Sequence, residues 1–258
     1  MQETNQPDPR GLPDSSRLIA LTDGLFATVL TVLVLTFHLP EIDQPGFQTS
    51  QPLFFQHIVA LSPTLLSYVL TFLVAGSYWQ AHHQVYETIP RANRRLLWYN
   101  LMFLLCVGLL PFSTQLLDIK GGDTLAWTVY CTNMILIGSM FTLGWGYAVS
   151  HGLRVGSTPP HWFLHTLLRN LITPVIFLAS LIVGQFQVNL AYYFPALIPF
   201  VGIAVGRAFP IGGTEPSPAQ EKQDGTVLDF LWRIGVFLPV ILFAFWLYWS
   251  STHYQPPK

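Results

Sequence analysis

Long apolar runs separated by short polar stretches dominate this chain. Seven runs approach bilayer length: Leu18–Leu39, Leu53–Trp79, Leu96–Leu117, Leu125–Val149, Phe163–Phe186, Ala191–Arg207 and Leu228–Trp249. A hydrocarbon core about 30 Å thick takes ~20 residues of helix. A backbone in lipid must bond within its own segment, so each run predicts a helix. The first six runs follow one another closely. The seventh stands behind a polar Gly/Pro/Glu/Lys stretch, Ile211–Thr226. The predicted class is all-α, a polytopic transmembrane helix bundle with six core spans and a seventh. Residues 1–15 are read as a disordered cytoplasmic tail, 16–208 as the six-span domain, 209–226 as a linker, 227–250 as the extra transmembrane helix and 251–258 as a second tail. Pro63, Pro111, Pro174, Pro195, Pro199 and Pro239 interrupt the runs. Each removes a helix donor and predicts a kink.

Composition agrees with burial in lipid. Hydrophobic residues make up 51% of the 258 positions and charged residues only 10%, against roughly 25% charged in a soluble domain. Mean hydropathy is +0.44. The net charge of −1 offers no basis for nucleic-acid binding. Cys106 and Cys131 lie in apolar runs and make neither a disulfide framework nor a metal site. No nucleophile elbow, phosphate loop, zinc-protease motif or dinucleotide fingerprint occurs, so no enzymatic activity and no cofactor are expected. The opening MQETNQPDPRGLPDSS lacks the features of a cleavable signal, so the first span is expected to act as signal and anchor.

Arginine and lysine set the expected orientation. Arg10 and Arg17 precede or open the first span, Arg91, Arg94 and Arg95 lie in the second connection, and Arg154 in the fourth, with Arg169 just inside the fifth span. Arg207 and Lys222 lie in the sixth connection. The first and fifth connections have no basic residue, and the third has only Lys120. The alternation puts the N-terminus in the cytoplasm. Trp79, Trp98, Trp127, Trp145, Trp162, Trp246 and Trp249 sit near span ends, as an aromatic belt would.

The first span carries the most informative chemistry. Asp23 lies almost two turns into it, where an ionisable group needs a partner or water. Arg17, six residues earlier, is poorly spaced to pair with it along the helix. A headgroup-level pairing and a partner on another helix both remain open. Gly24, Thr28, Thr31, Val32 and Leu35 fall on or near one helical stripe. Small residues and threonines at this spacing suit close helix packing. They equally suit a pore wall, where hydroxyls replace part of an ion's hydration and an apolar ring gates by dewetting. His82 and His83 are adjacent on a helix and point about 100° apart, with no Cys or carboxylate cluster beside them, so no metal site is expected. Histidines there could make the protein sensitive to pH.

Two stretches resemble the lysosomal potassium channel family and its bacterial relatives. The family signature is Arg-x-x-x-Phe-Ser-Asp, then Gly-x-Phe-Ala and Thr-Leu-Leu-Val-Leu. Here it is matched by Arg17, Leu21, Thr22, Asp23, Gly24, Phe26, Ala27, Thr31, Leu33, Val34 and Leu35. The second stretch comprises Tyr78-Trp79-x-x-His82-His83, then Arg94-Arg95-Leu96-Leu97-Trp98-x-Asn100-Leu101, and then Leu109-Leu110-Pro111-Phe112. The resemblance covers residues 15–208. It implies six helices per repeat, a pore lined by the first helix, and no TVGYG carbonyl filter, which this sequence lacks. One signature per chain implies a homotetramer in membrane lipid. A single repeat also implies a bacterial plasma membrane.

The implied function is a potassium-selective cation channel, weakly selective or proton-permeable in one variant. The implied permeant ion is K⁺. A proton-coupled secondary transporter is the alternative, and an assembly or sensor subunit is a third reading. By resemblance, Arg17, Thr22 and Asp23 belong to a polar network near the cytoplasmic mouth, with His82, His83 and Asn100 as candidate partners. Thr31 matches the threonine ring implicated in potassium preference, and Val32 and Leu35 lie where aliphatics narrow the pore. Leu21 and Thr22 replace Phe and Ser of the signature. Thr28 occupies the family's narrowest hydrophobic position, so this chain is expected to have a wetter constriction.

Overall fold

The computed structural model describes residues 14–35, 62–119, 123–155 and 160–208. The first connection, the linker after residue 208 and the seventh run lie outside the described residues. Those described are helical throughout, with α1 (Ser16–Leu35), α2 (Ser62–Tyr86), α3 (Arg94–Gly108), α4 (Leu110–Ile119), α5 (Thr124–Ser150), α6 (Pro160–Gly184), α7 (Val188–Ala191), a 3₁₀ turn (Phe194–Leu197) and α8 (Ile198–Ala208). Among them the only extended pairing is the isolated bridge between Asp14 and Arg91.

Among the described residues, four helical stretches are long and apolar enough to cross a membrane: Ser16–Leu35, Arg94–Leu117, Thr124–Ser150 and Phe163–Gly184. They match four of the expected runs within a few residues. The second, expected over Leu53–Trp79, differs. Its described helix continues past Trp79 to Tyr86 and carries Gln80, His82, His83 and Gln84. Backbone bonding can hold a helix beyond the point where its side chains cease to be apolar.

Caps and breakers mark the other ends. Asn93 accepts from the Leu96 amide at 2.9 Å and starts α3. Asp123 accepts from Leu125 and Ala126 at 2.7 and 3.3 Å and starts α5. At the far end of α5, Gly152 adopts φ 61°, and Leu153 N–H returns to the Ala148 carbonyl at 3.0 Å. This is a left-handed glycine stop, sealed by Leu153 packing into the bundle. At the start of α1 the Asp14 carboxylate accepts from the Ser16 amide and hydroxyl at 3.0 and 2.9 Å, while the Ser15 hydroxyl donates to the Ile89 carbonyl.

The third run is broken once. Leu109 separates α3 from α4, and Pro111 lies in the first turn of α4, where its missing donor is tolerated. The run Ala191–Arg207 is not one continuous helix. Pro195 opens the 3₁₀ turn and Pro199 lies in the first turn of α8. The eleven residues of α8 cover about 16 Å, roughly half a bilayer core.

The bundle centres on α5, which packs most extensively against α6 and then against α3. Without a strong hydrophobic drive between helices in lipid, close approach matters more. A Cβ on Gly138 of α5 would lie 2.7 and 2.9 Å from the Pro174 ring of α6 and 2.5 Å from the Tyr78 hydroxyl. Phe26, Phe103, Phe141 and Tyr78 form the aromatic centre, with Phe26 and Phe103 rings 5.9 Å apart. Phe26 is fully buried, so it seats α1 on α3.

Candidate functional site

The first helix has two chemically distinct faces. Leu18, Thr22, Phe26, Val29 and Leu33, three or four residues apart, are buried against the bundle. Arg17, Leu21, Gly24, Thr28, Thr31 and Leu35, also three or four apart, are exposed on the opposite face. Val32 is exposed at the edge of that face. The five residues read as a stripe therefore share one uncovered side of a single chain.

The threonines on this side are held by their own helix. Thr28 Oγ1 donates to the Gly24 carbonyl at 2.9 Å, and Thr31 Oγ1 donates to the Ala27 carbonyl at 2.8 Å. Each hydroxyl proton is thus engaged. The oxygen lone pairs remain as acceptors, one above the other about 4.5 Å apart along the axis. A cation is served by such oxygens, and an anion is not.

The expected single polar network is two separate groups. The buried one joins three helices. Thr22 Oγ1 donates to the Leu18 carbonyl at 3.0 Å and accepts from Asn100 Nδ2 at 3.2 Å. Asn100 Oδ1, an acceptor only, takes a 2.8 Å bond from His82 Nε2, so that ring nitrogen carries the proton. The His82 ring lies between Tyr86 and Phe103, with centroids at 4.0 and 5.6 Å and near-parallel planes. Thr22, Asn100 and His82 are all buried.

The second group is open. Asp23 Oδ1 accepts from Trp79 Nε1 at 2.8 Å. The Trp79 ring stacks on His83 at 5.9 Å, and His83 Nε2 lies 3.0 Å from Glu87 Oε1. So the hydrogen bond to Asp23 comes from an indole, not from His82, His83 or Asn100. Arg17 makes no ion pair among the described residues and stands on the exposed face. Trp79 sits near a span end, as an aromatic-belt residue would, yet its indole is the donor to Asp23. Its place one turn before His82, in the same motif, was the available signal. Among the described residues no group of three or more His, Cys, Asp or Glu is placed to hold a metal ion.

At the same end of the bundle, backbone bonds tie three segments together. Ser15 N–H donates to the Pro90 carbonyl at 3.1 Å, and Val155 N–H donates to the Thr88 carbonyl at 2.9 Å. Arg154 Nε donates to Thr88 Oγ1 at 3.3 Å. The connection from Glu87 to Asn93 is thereby held between the start of α1 and the end of α5.

Comparison with known proteins places this geometry. Residues 17–111 match the family model described as endosomal/lysosomal potassium channel TMEM175. A potassium channel of Streptomyces collinus is 36% identical over 40% of this chain and 48% of its own length. A potassium channel of a Chryseobacterium species is 32% identical over 38% of this chain and 46% of its own. The human endosomal/lysosomal proton channel TMEM175 is 26% identical over 80% of this chain and 42% of its own. The chain thus spans about half the length, or less, of these relatives. The crystal structure of a lysosomal potassium-selective channel TMEM175 homolog from Chamaesiphon minutus has a TM-score of 0.58 at 21% identity, covering 74% of this chain and 97% of that one. That likeness concerns the fold, and the sequence match concerns the segment that builds the site. Residues 17–111 are thus similar to the TMEM175 potassium channel family over the segment that holds α1 to the start of α4.

Proposed function

We propose that four copies of this chain form a potassium-conducting cation channel whose pore is lined by α1 of each copy. One observation carries the reading. The helix buries one face completely, and its other face presents Thr28 and Thr31 oxygens whose protons are already bonded within the helix. Around a four-fold axis such oxygens form stacked acceptor rings, which can replace part of the hydration of K⁺. Gly24 leaves the inner end wide, and Val32 and Leu35 supply an apolar ring that gates by dewetting.

Six crossings serve this architecture: α1, α2, α3 with α4, α5, α6, and α7 with the 3₁₀ turn and α8. The arginine pattern supports a cytoplasmic N-terminus, and a single signature per chain supports a bacterial plasma membrane. Arg17, Thr22, Asp23, His82, His83 and Asn100 then lie towards the cytoplasmic mouth. The names of the bacterial relatives support potassium as the permeant ion. The name of the human relative supports protons as a second one. None of the relatives described above is named a transporter.

The test is a reversal potential. Purified protein in a planar bilayer under opposed K⁺ and Na⁺ gradients is expected to reverse near the K⁺ equilibrium potential. Absence of current from folded, inserted protein would remove the channel reading. Thr28 adds a second check, since a threonine makes a wetter constriction than an aliphatic side chain. Thr28→Leu is expected to lower single-channel conductance, and equal currents in variant and parent reject that role.

A further inference from the structure

The outer face of α3 changes character along its axis. Arg94 and Arg95 open it, both exposed, and neither makes an ion pair among the described residues. Their neighbours differ: Arg91 lies beside Asp14 and Arg154 bonds Thr88. One turn further along the same side is Trp98, 55% exposed. Leu101, Met102 and Leu105 follow, with Leu105 58% exposed. The opposite side, Leu96, Asn100, Phe103, Leu104 and Val107, is buried in the bundle. Two guanidiniums therefore stand at the head of an uncovered apolar ridge, about 16 Å from Arg94 to Leu105.

Four carboxylates of the described residues are engaged away from this face. Asp14 bonds Ser16, Asp23 bonds Trp79, Glu87 lies against His83, and Asp123 caps α5. In a second copy of the chain these four acids are engaged in the same way. An anion continuous with something apolar matches this face, charge to Arg94 and Arg95 and hydrocarbon to the ridge. Phosphate oxygens suit paired guanidiniums, which bind them through forked hydrogen bonds. An indole at the next turn suits the interfacial layer between charge and hydrocarbon.

We propose that Arg94, Arg95 and Trp98 bind the headgroup of an anionic phospholipid, with an acyl chain lying along Leu101, Met102 and Leu105. The site requires that α3 crosses a membrane and is independent of whether the protein conducts ions. A zwitterionic lipid carries the same phosphate with its charge cancelled, so the site selects by net headgroup charge.

Quenching of Trp98 fluorescence tests this in the full chain, reconstituted in phosphatidylcholine vesicles. Brominated phosphatidylglycerol or brominated phosphatidylcholine is added at the same mole fraction, and the Trp98 signal is the difference between the parent and Trp98→Phe. Brominated phosphatidylglycerol is expected to quench Trp98 several-fold more than brominated phosphatidylcholine. The double variant Arg94→Gln/Arg95→Gln is expected to abolish the difference and leave quenching by phosphatidylcholine unchanged. Salt repeats the test without a substitution, because NaCl screens two exposed guanidiniums and the preference falls as it is raised. Equal quenching by the two lipids in the parent, a preference that survives the double variant, or one indifferent to salt overturns the proposal. No quenching by either lipid overturns it too, since the ridge is then covered by another copy or another protein.

Discussion

Asn100 has an amide with a donor end and an acceptor end, and both are used inside the bundle. The donor end bonds Thr22 and the acceptor end accepts the hydrogen bond of the His82 N–H. Replacing Asn100 with Leu keeps the bulk and leaves the buried His82 N–H without its acceptor. An unsatisfied buried donor costs about 1–3 kcal/mol, so Asn100→Leu is expected to lower the thermal midpoint in detergent measurably. An unchanged midpoint would mean that water replaces the amide. Adjacent residues 100° apart on a helix cannot share a side. That explains why Thr22 and His82 join the buried group while Asp23 and His83 stay open. The separation was legible in the periodicity of α1 and α2. The identity of the donor to Asp23 was not, because it depends on how α2 is rotated against α1, which neither helix specifies alone.

Asp14 lies before the first span, and the Ser16 amide and hydroxyl hold its carboxyl below the ordinary aspartate value. A group whose folded value is depressed stabilises the fold above its unfolded value and loses that contribution as pH falls through the folded one. Amide protection at Ser16–Ile19, corrected for intrinsic exchange, is therefore expected to decrease below about pH 4. Protection independent of pH in that range would remove Asp14 as the cap.

At the scale of elements, α1, α3 with α4, α5 and α6 followed directly from runs of apolar residues. The run Ala191–Arg207 did not, because hydropathy averages over prolines that backbone geometry cannot ignore. Pro195 and Pro199, four residues apart, divide it into a 3₁₀ turn and a short helix. Contacts between elements were the least legible. Nothing in the sequence distinguishes Gly138 from the other span glycines, yet at this position α5 packs tightly against Pro174 of α6 and Tyr78 of α2. Gly138→Ala puts a methyl within 3 Å of Pro174 and Tyr78, and overpacking of this kind typically costs about 1–3 kcal/mol. A lower thermal midpoint is expected, and Gly146→Ala, with nothing within 4 Å of its added methyl, is the control. Equal midpoints for the two variants would mean that the helices part without strain.

At the scale of the whole molecule, the uncovered side of α1 is the surface that the proposed four-chain pore would use. A single chain leaves Leu35 74% exposed and two threonines beside it uncovered. Mild-detergent scattering is expected to give a mass of four chains. Oxidised Leu35→Cys is expected to link chains in pairs, since equivalent positions on α1 would converge around the axis of the proposed pore. A monomer with intact fold would dismiss the proposed pore.

The bonds that hold Ser15 to Ile89 and Pro90 have a mechanical consequence. They fasten the foot of α1 to a strap that is itself pinned by Val155 at the end of α5. Twisting α1 about its own axis, or sliding it by one turn of about 5.4 Å, would tear this fastening. The first helix is therefore not a free piston. It shares its foot with the strap and with α5, and any push that shifts it must act as torque on that joined base.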